Sequence, residues 1–549
     1  METKTLEYET KRIDHLGIVA GICQQLELIG MIDSLLPTPS ERKVSCGQAT
    51  QAMVLNALGL TGRALYLMPE YMKNKPVDLL IGEGLKAEDF NDDTLGRALD
   101  ELFQADITEM FARIAGKAVE VFNIEQDYVH VDTSSFMLHG KYESEVAQEA
   151  VERRGAVQIK HGYSKENRPD LKQVIVTLIT SQQSALPLWI EVLDGNSSDN
   201  KSFPVTVAAY CKQMEGDALP WFVMDSASYS EENLGVWGKA KWVTRVPETS
   251  RAAKEAVKSI ATKEMRMVSD GYRIHAMSSE YGQVKQRWLV VHSEKLEVKE
   301  KKQLRKRSNN AKEAAIRSLN KLKRTLFNCE ADAMNAVQSL NKKLKWHTIQ
   351  AQYKCIKQYA HRGRPAKGTL PVSAGWKIQG RVIIQKERMA DAHQWLGRFL
   401  LATNELDRER LSDEQLLSIY KTQAQSVERG FRFLKDPLFF ADSLFLKNPA
   451  RIMAMIMIMG LSLLIYALAE REVRQQLKAC NETIPDQKGK PTQLPTMRRL
   501  AQMFEGIDLL EIRLDGHLVE RRVLNLSQLH LKIIRLFGTD VEKCYLIKI

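Results

Sequence analysis

Residues 221–246, WFVMDSASYSEENLGVWGKAKWVTRV, decide the fold class. Trp221–Met224 is a short β-rich run ending in Asp225, Glu231–Trp237 reads as a short helix, and Lys241–Val246 reads as a second strand. Strand, helix and strand in quick succession is the rhythm of an α/β sheet. The pattern extends upstream. Ser202–Met214 reads as a helix with Pro204 in its first turn, and Asp194-Gly195-Asn196 as a turn. Leu186–Leu193 (LPLWIEVL) and Gln173–Thr180 (QVIVTLIT) read as strands, and Tyr128–Val131 as another that ends in Asp132. Three strands, helix, strand, helix, strand predicts a mixed sheet. Asp132 and Asp225 both follow apolar strands. Central strands lying side by side bring them to one sheet edge, where open α/β sheets bind ligands. For either aspartate alone a turn or cap role is the commoner explanation, since DTSS and DSAS offer local hydroxyls. The pair is harder to explain that way.

Downstream, residues 249–397 interrupt the rhythm. Gln286–His292 (QRWLVVH) and Arg381–Gln385 (RVIIQ) are strand-like, and Glu297–Lys345 is a long charged stretch that predicts a helical hairpin. From Lys301 to Gly368 there are 18 Lys and Arg against 3 acids, a net +15 against +11 for the whole chain, so the remainder carries −4. Charge so confined fits a polyanion partner, or equally a solvated basic helix. In HRGRPAKG (361–368) the Arg362-Gly363-Arg364-Pro365 core resembles an AT-hook, which places Arg362 and Arg364 as minor-groove candidates. A Gly/Pro loop has the same signature.

Arg398–Ala402 gives one more strand, and Leu411–Tyr420 and Gln425–Leu434 give helices. In the second helix, QSVERGFRFLKDP (425–437), Glu428 and Lys435 are seven apart and share a face, with Arg432 one turn from Glu428. A carboxylate among cations suits a site holding metal and phosphate together. It also describes a surface helix with an i,i+4 ion pair. Ile452–Ala469 is 18 uncharged residues, the lower limit for a membrane span. Isolated and Met-rich, it is expected to be a helix buried in a large core, with no membrane partner.

The N-terminal 125 residues read as mostly helical, over Ile18–Leu36, Gly47–Leu60, Asp93–Phe103 and Ile107–Phe122. They suit a DNA-reading helix-turn-helix or a packing domain alike. The tail from Thr496 mixes short helices with small apolar pieces. The expected domains are 1–125, 126–248, 249–397, 398–475 and 476–549. Seven cysteines with no CxxC pair disfavour a disulfide framework or a zinc site and fit a reducing compartment. The first residues, METKTLEYETKRIDHLG, lack the apolar core of a signal peptide.

Asp132, Asp225 and Glu428 form a candidate triad. Two carboxylates from strands and one from a helix can hold a pair of divalent ions about 4 Å apart. Hard oxygen ligands suit Mg²⁺ or Mn²⁺. No Ser/His/Asp set, Walker loop or zinc spacing competes.

Several ordered blocks also carry a family likeness: HVDTSSF (130–136), HGYSKENRPDLKQ (161–173), VMDSASYS (223–230) and VERGFRFLKDPLFF (427–440), with GIVAGICQQLELIGMID (17–33) and GQATQAMVLNALGL (47–60) before them. With them the chain resembles the DDE transposases of bacterial and archaeal insertion sequences, in the type-four superfamily and nearest its insertion-sequence 1634 family. The resemblance implies a ribonuclease-H-like core, a helical N-terminal domain and a large basic insertion before the catalytic-Glu helix. It implies metal-dependent cleavage at transposon ends and strand transfer into target DNA, with Asp132, Asp225 and Glu428 as metal-binding acids and Lys435 as the lysine that follows. The partner it implies is double-stranded DNA, both terminal inverted repeats and target, bound by a homodimer. A prokaryotic cytoplasm, at the nucleoid when acting, follows. The family places a tyrosine seven residues and an arginine four residues before the glutamate. Here Lys421 and Ala424 hold those slots and Tyr420 is eight before. Tyr420 fills the family position only if the helix is bulged or starts later. Arg429 or Arg432 is then the candidate replacement for the arginine. In the Lys160–Lys172 block, His161, Tyr163, Ser164, Lys165 and Arg168 are candidates for the active-site rim near DNA phosphate. A non-catalytic DNA-binding descendant and a plain metal-dependent nuclease are the alternatives.

Overall fold

The computed structural model describes residues 6–37, 39, 41–60, 65–139, 142, 155–164, 168–182, 185–214, 219–237, 240–269, 271–358, 367, 372–436 and 446–547. Lys165, Arg362 and Arg364 lie outside them. The chain divides into two compact units, 1–244 with 280–286 and 403–549, and 245–279 with 287–402.

The chain opens with β1 (Leu6–Arg12), a strand where the sequence predicts mostly helix. Helices follow over Leu16–Gln25, Leu28–Leu35, Cys46–Leu58, Asp92–Gln104 and Ile107–Val121. The expected helix Ile18–Leu36 is two helices, because Glu27 takes a left-handed φ of 53° between them. Then come β2 (Tyr128–Leu138), β3 (Lys172–Ser181), β4 (Pro187–Leu193), a helix at Asp199–Gln213, β5 (Trp221–Met224) and β6 (Lys241–Arg245). In the first unit the strands lie in the order β4-β3-β2-β5-β6. β3 is antiparallel to both neighbours, and β2, β5 and β6 are parallel. This is the mixed sheet that the strand-helix rhythm predicts.

The second unit holds β7 (Arg266–Ser269), most of β8 (Tyr272–Tyr281) and of β9 (Val284–Ser293), a 31-residue helix at Glu294–Arg324, a helix at Glu330–Lys343, the paired strands β10 (His347–Gln358) and β11 (Ser373–Ile384), and β12 (Arg398–Thr403) up to Ala402. The helical hairpin is where the charged stretch predicts it. The strands were legible only as fragments: β10, β7 and β8 carry too few consecutive apolar residues to register, and Arg381–Gln385 is the end of a 12-residue strand.

Back in the first unit, the two expected helices Leu411–Tyr420 and Gln425–Leu434 are one, Asp413–Leu434. Ser412 starts it with a capping box: its hydroxyl accepts from Gln415 N–H, and the Gln415 side chain accepts from Ser412 N–H at 2.8 Å. The apolar helix spans Pro449–Ala479, and 94 % of its apolar window is buried inside the chain's own core. The N-terminal helices, β4 and the helix Gln528–Phe537 pack around it, so an all-round apolar face has partners on every side. After the two-residue strands β13 (Ile484–Pro485) and β14 (Pro491–Thr492), the tail supplies β15 (Asp508–Leu514) and β16 (His517–Leu524). These join β1 in a three-stranded antiparallel sheet, Leu6 opposite Leu514 and Arg12 opposite Asp508.

Candidate active site

β2 is longer than its sequence suggests. Asp132 sits inside the strand, not at its end, because Thr133, Ser134 and Ser135 continue it with buried side chains. β2 and β5 pair in parallel with Tyr128 opposite Trp221 and His130 opposite Val223. The same offset carries Asp132 to Asp225, the first residue after β5. The two backbones therefore lie side by side where β5 ends, about 5 Å apart by strand spacing. Each carboxylate also has a local bond: Asp132 accepts from Thr133 N–H and Asp225 from Ala227 N–H, both at 2.8 Å. The Asp225 carbonyl takes the hydroxyls of Ser228 (2.6 Å) and Thr244 (2.7 Å), which fixes the turn below the carboxylate. The turn role expected of DSAS coexists with a place at the site.

Three contacts seat the Glu428 helix. At its middle, Thr422 Oγ1 donates to Ile419 O at 2.7 Å and accepts from His130 Nε2 at 3.3 Å. At its end, the Lys435 ammonium lies 5.4 Å from the centre of the Phe136 ring. His130, Asp132 and Phe136 are even-numbered and share one face of β2. Thr422 to Lys435 is about 20 Å of helix and His130 to Phe136 is about 20 Å of strand, so the helix runs along β2 in step with it. Glu428 then lies about 9 Å beyond Thr422, and Asp132 about 7 Å beyond His130. The third contact agrees. Gly430 comes so close to β3 that a Cβ there would meet Leu178 at 2.9 Å, and Leu178 is the cross-strand partner of Asp132. Glu428 is exposed beside this seam, on the same side of the helix as Lys435.

The helix is unbroken from Asp413 to Leu434, so neither a bulge nor a late start brings Tyr420 into line. Tyr420 is turned about 80° from the Glu428 direction, and Lys421, exposed, is the residue nearly in line with it. Arg429 is engaged with Glu470 of the apolar helix. Glu470 is 4 % exposed, also pairs with Arg474 at 2.6 Å and accepts from Met497 N–H at 3.1 Å. Arg432 is exposed and, with Arg429 and Arg498, lines a recess of about 240 Å³.

The Lys160 block is pinned to the sheet by backbone contacts and by the buried Gln173 side chain. Lys160 bridges to Gln173, Gln173 Nε2 donates to Gly195 O at 2.8 Å, and Gly195 N–H donates to Gln158 O at 3.0 Å. Gln173 is cross-strand from Met137, so the block lies by the end of β2 that Lys435 also reaches. His161 and Tyr163 are exposed, Tyr163 by 87 %. Arg168 is exposed and forks onto Asp170 at 2.8 Å, which holds that carboxyl down at about 2. His130 and Phe136 are the residues that sequence reasoning missed. HVDTSSF contains both, but nothing in it says which helix they meet.

The donor set is three carboxylates, the hard-oxygen chemistry of a divalent ion. Among the described residues no three His, Cys, Asp or Glu side chains are drawn together closely enough to share one. The two aspartates turn oxygens to local N–H groups and Glu428 points to solvent, as described above.

Residues 131–465, three-fifths of the chain, match the transposase DDE domain, and residues 8–116 match a domain of unknown function (DUF4277). No curated protein matches. Among solved structures the chain is similar to the cryo-EM structure of the piggyBac transposase synaptic complex with hairpin DNA, at 10 % identity and a TM-score of 0.35, over 91 % of this chain and 82 % of that one. The matched span runs from the residue before Asp132 to the middle of the apolar helix and encloses all three acids: the chain belongs to the DDE transposases, enzymes of DNA transposition.

Proposed function

We propose that Asp132, Asp225 and Glu428 are the acids that hold the divalent metal used by this family, as two Mg²⁺ ions, with Mn²⁺ able to replace them. The β2–β5 register, with the helix alignment that sets Glu428 level with Asp132, is the observation that carries this. When bound, such a pair activates an attacking hydroxyl and stabilises the leaving oxygen. The residues' own part is to converge: Asp132 and Asp225 turn off their local N–H bonds, and Glu428 turns toward β2. Lys435, steadied over Phe136, meets a phosphate oxygen of the DNA backbone. His161, Tyr163 and Arg168 border the same end of the sheet. Arg432 is a second phosphate contact, with Arg429 supporting it from the Glu470 network. Tyr420, Lys165, Arg362 and Arg364 are further candidates for DNA contact.

The substrate is double-stranded DNA, cut at terminal inverted repeats and joined to target DNA by a homodimer in the cytoplasm, with no membrane partner. The order β4-β3-β2-β5-β6, with β3 antiparallel, supports a ribonuclease-H-like core. The ordered sequence blocks support kinship with the insertion-sequence 1634 family. Residues 1–125 act as a DNA-binding domain, and 249–397 as the basic insertion between the parts of the core at 126–248 and 398–475.

Mg²⁺-dependent nicking of a duplex carrying the element's end tests this. Asp132→Asn, Asp225→Asn and Glu428→Gln are each expected to lose roughly 10³-fold or more in rate, several kcal/mol of transition-state stabilisation, with an unchanged melting temperature. Full activity in any of them removes that residue from the set. Pre-cut ends that fail to join target DNA while nicking persists indicate a plain nuclease, and binding without cutting a non-catalytic descendant.

A further inference from the structure

Strands β10 and β11 form a two-stranded ribbon with an unbroken ladder from His347 opposite Ile384 to Gln358 opposite Ser373. Such a ribbon alone is marginally stable. One face of this one is fixed: Ile349, Ala351, Tyr353, Trp376, Ile378 and Val382 pack against Leu319, Ala333 and Val337 of the two helices before it. The opposite face is largely open, with Leu326 covering Gly375 toward the end of the ribbon at Gln358 and Ser373. It presents Gln350 across from Arg381, Gln352 across from Gln379 and Lys354 across from Lys377, all exposed except the half-buried Lys377. Neither strand contains an acidic residue. Two lysines directly opposite one another repel, and neither strand supplies a carboxylate to relieve them. That arrangement asks for an anionic partner. The glutamines ask for more than charge. Arg381 Nε donates to Gln350 Oε1 at 3.1 Å, which orients both side chains and leaves the Gln350 amide and the rest of the guanidinium as outward donors.

Resting on the transposase reading above, we propose that this outer face is a sequence reader for duplex DNA. Gln350, Arg381, Gln352 and Gln379 meet base edges in the major groove, and Lys354 and Lys377 meet a flanking phosphate. The dimensions fit. The major groove is about 12 Å wide and admits a two-stranded ribbon. From Gln350 to Lys354 is about 14 Å of strand, roughly four base-pair steps. Arg and Gln are the side chains that pair bidentately with guanine and adenine edges there. Duplex RNA, with its deep, narrow major groove, is closed to such a ribbon.

The test uses the full chain and two duplexes of equal length, one with the inverted repeat that brackets its gene and one with that repeat scrambled. Affinity for both is measured over a salt series. Gln352→Ala with Gln379→Ala, and Gln350→Ala with Arg381→Ala, are each expected to cut the repeat-over-scramble ratio at least about fivefold, the low end for one bidentate contact; scrambled-duplex affinity holds in the first and falls a little in the second, which loses one cation. Lys354→Ala with Lys377→Ala is expected to weaken both duplexes alike and flatten the salt slope by about 2. An unchanged ratio in both glutamine-containing doubles, with the wild type still discriminating, overturns the ribbon as reader and leaves the transposase reading intact. A wild type that fails to discriminate overturns both.

Discussion

His130 stands two residues before Asp132 with its ring wholly buried, and burial lowers its pKa from 6.5 to about 4. It is neutral at pH 7, with Nε2–H donated to Thr422. The sign follows from linkage. The folded pKa lies below the unfolded one, so unfolding in acid takes up a proton that the native ring refuses. The stabilisation is fully present above pH 6.5 and is lost as pH falls from 6.5 toward 4, by up to about 3 kcal/mol. His15 is buried too and shifts the same way, so the useful quantity is a difference. Urea unfolding of wild type and His130→Gln at pH 7, 5.5 and 4.5 is expected to show a shallower acid loss in the variant. Parallel pH profiles would show that His130 is not the group responsible. The same residue explains why the sequence pattern divides the Glu428 helix in two. Thr422 faces the sheet at a place where hydrophobic periodicity demands an apolar residue, and it is satisfied there by a buried imidazole. Periodicity fails at Thr422 although the helix does not.

Among the elements, the block around His161 illustrates how backbone approach positions side chains. A Cβ on Gly195 would lie 2.0 Å from Gln173 O, and one on Gly162 would lie 2.0 Å from Gly195 O. Backbone cannot yield as a flexible side chain can. Gly195→Ala is therefore expected to destabilise the protein by about 1–3 kcal/mol and to detach the block from the edge of β3. A lower melting temperature, with faster proteolysis near residue 163, checks this. An unchanged cleavage pattern would mean that the block is held by its side chains instead. The strand QVIVTLIT was legible because it is apolar on both faces, as a strand buried between layers must be. The ribbon β10–β11 was legible only at its Arg381–Gln385 end, because one face is polar and the apolar face interleaves with polar residues while packing on Leu319, Ala333 and Val337 of other elements.

At the scale of the whole molecule, the beginning and end of the described chain are one structure. Glu511 of β15 is fully buried and bonded to Arg513 and Arg521 at 2.7 and 2.6 Å, with Lys11 of β1 at 3.5 Å. Burial opposes its charge, but the Arg513 and Arg521 bonds and Lys11 win and hold the carboxyl below its ordinary range. Removing it opens a buried hole and takes the carboxylate from Arg513, while Arg521 keeps Asp78 and Lys11 keeps Glu9, so Glu511→Ala is expected to cost about 3 kcal/mol, the low end for breaking a buried pair. Thermal unfolding checks it, and a loss under about 1 kcal/mol would show that water already screens the cluster.

The sequence alone determined what depends on local order: the mixed α/β core, the helical hairpin with its confined charge, the buried apolar helix, and Asp132, Asp225 and Glu428 as the acids worth watching. Those signals are carried by side chains within a turn or a strand of one another. Only the tertiary structure decided the register that aligns Asp132 with Asp225, the His130 and Phe136 contacts that lay the Glu428 helix along β2, the pairing of β1 with β15, and the polar outer face of the ribbon. Each joins residues far apart in the chain, and such pairings are chosen by packing and charge compensation, which no single stretch of sequence contains.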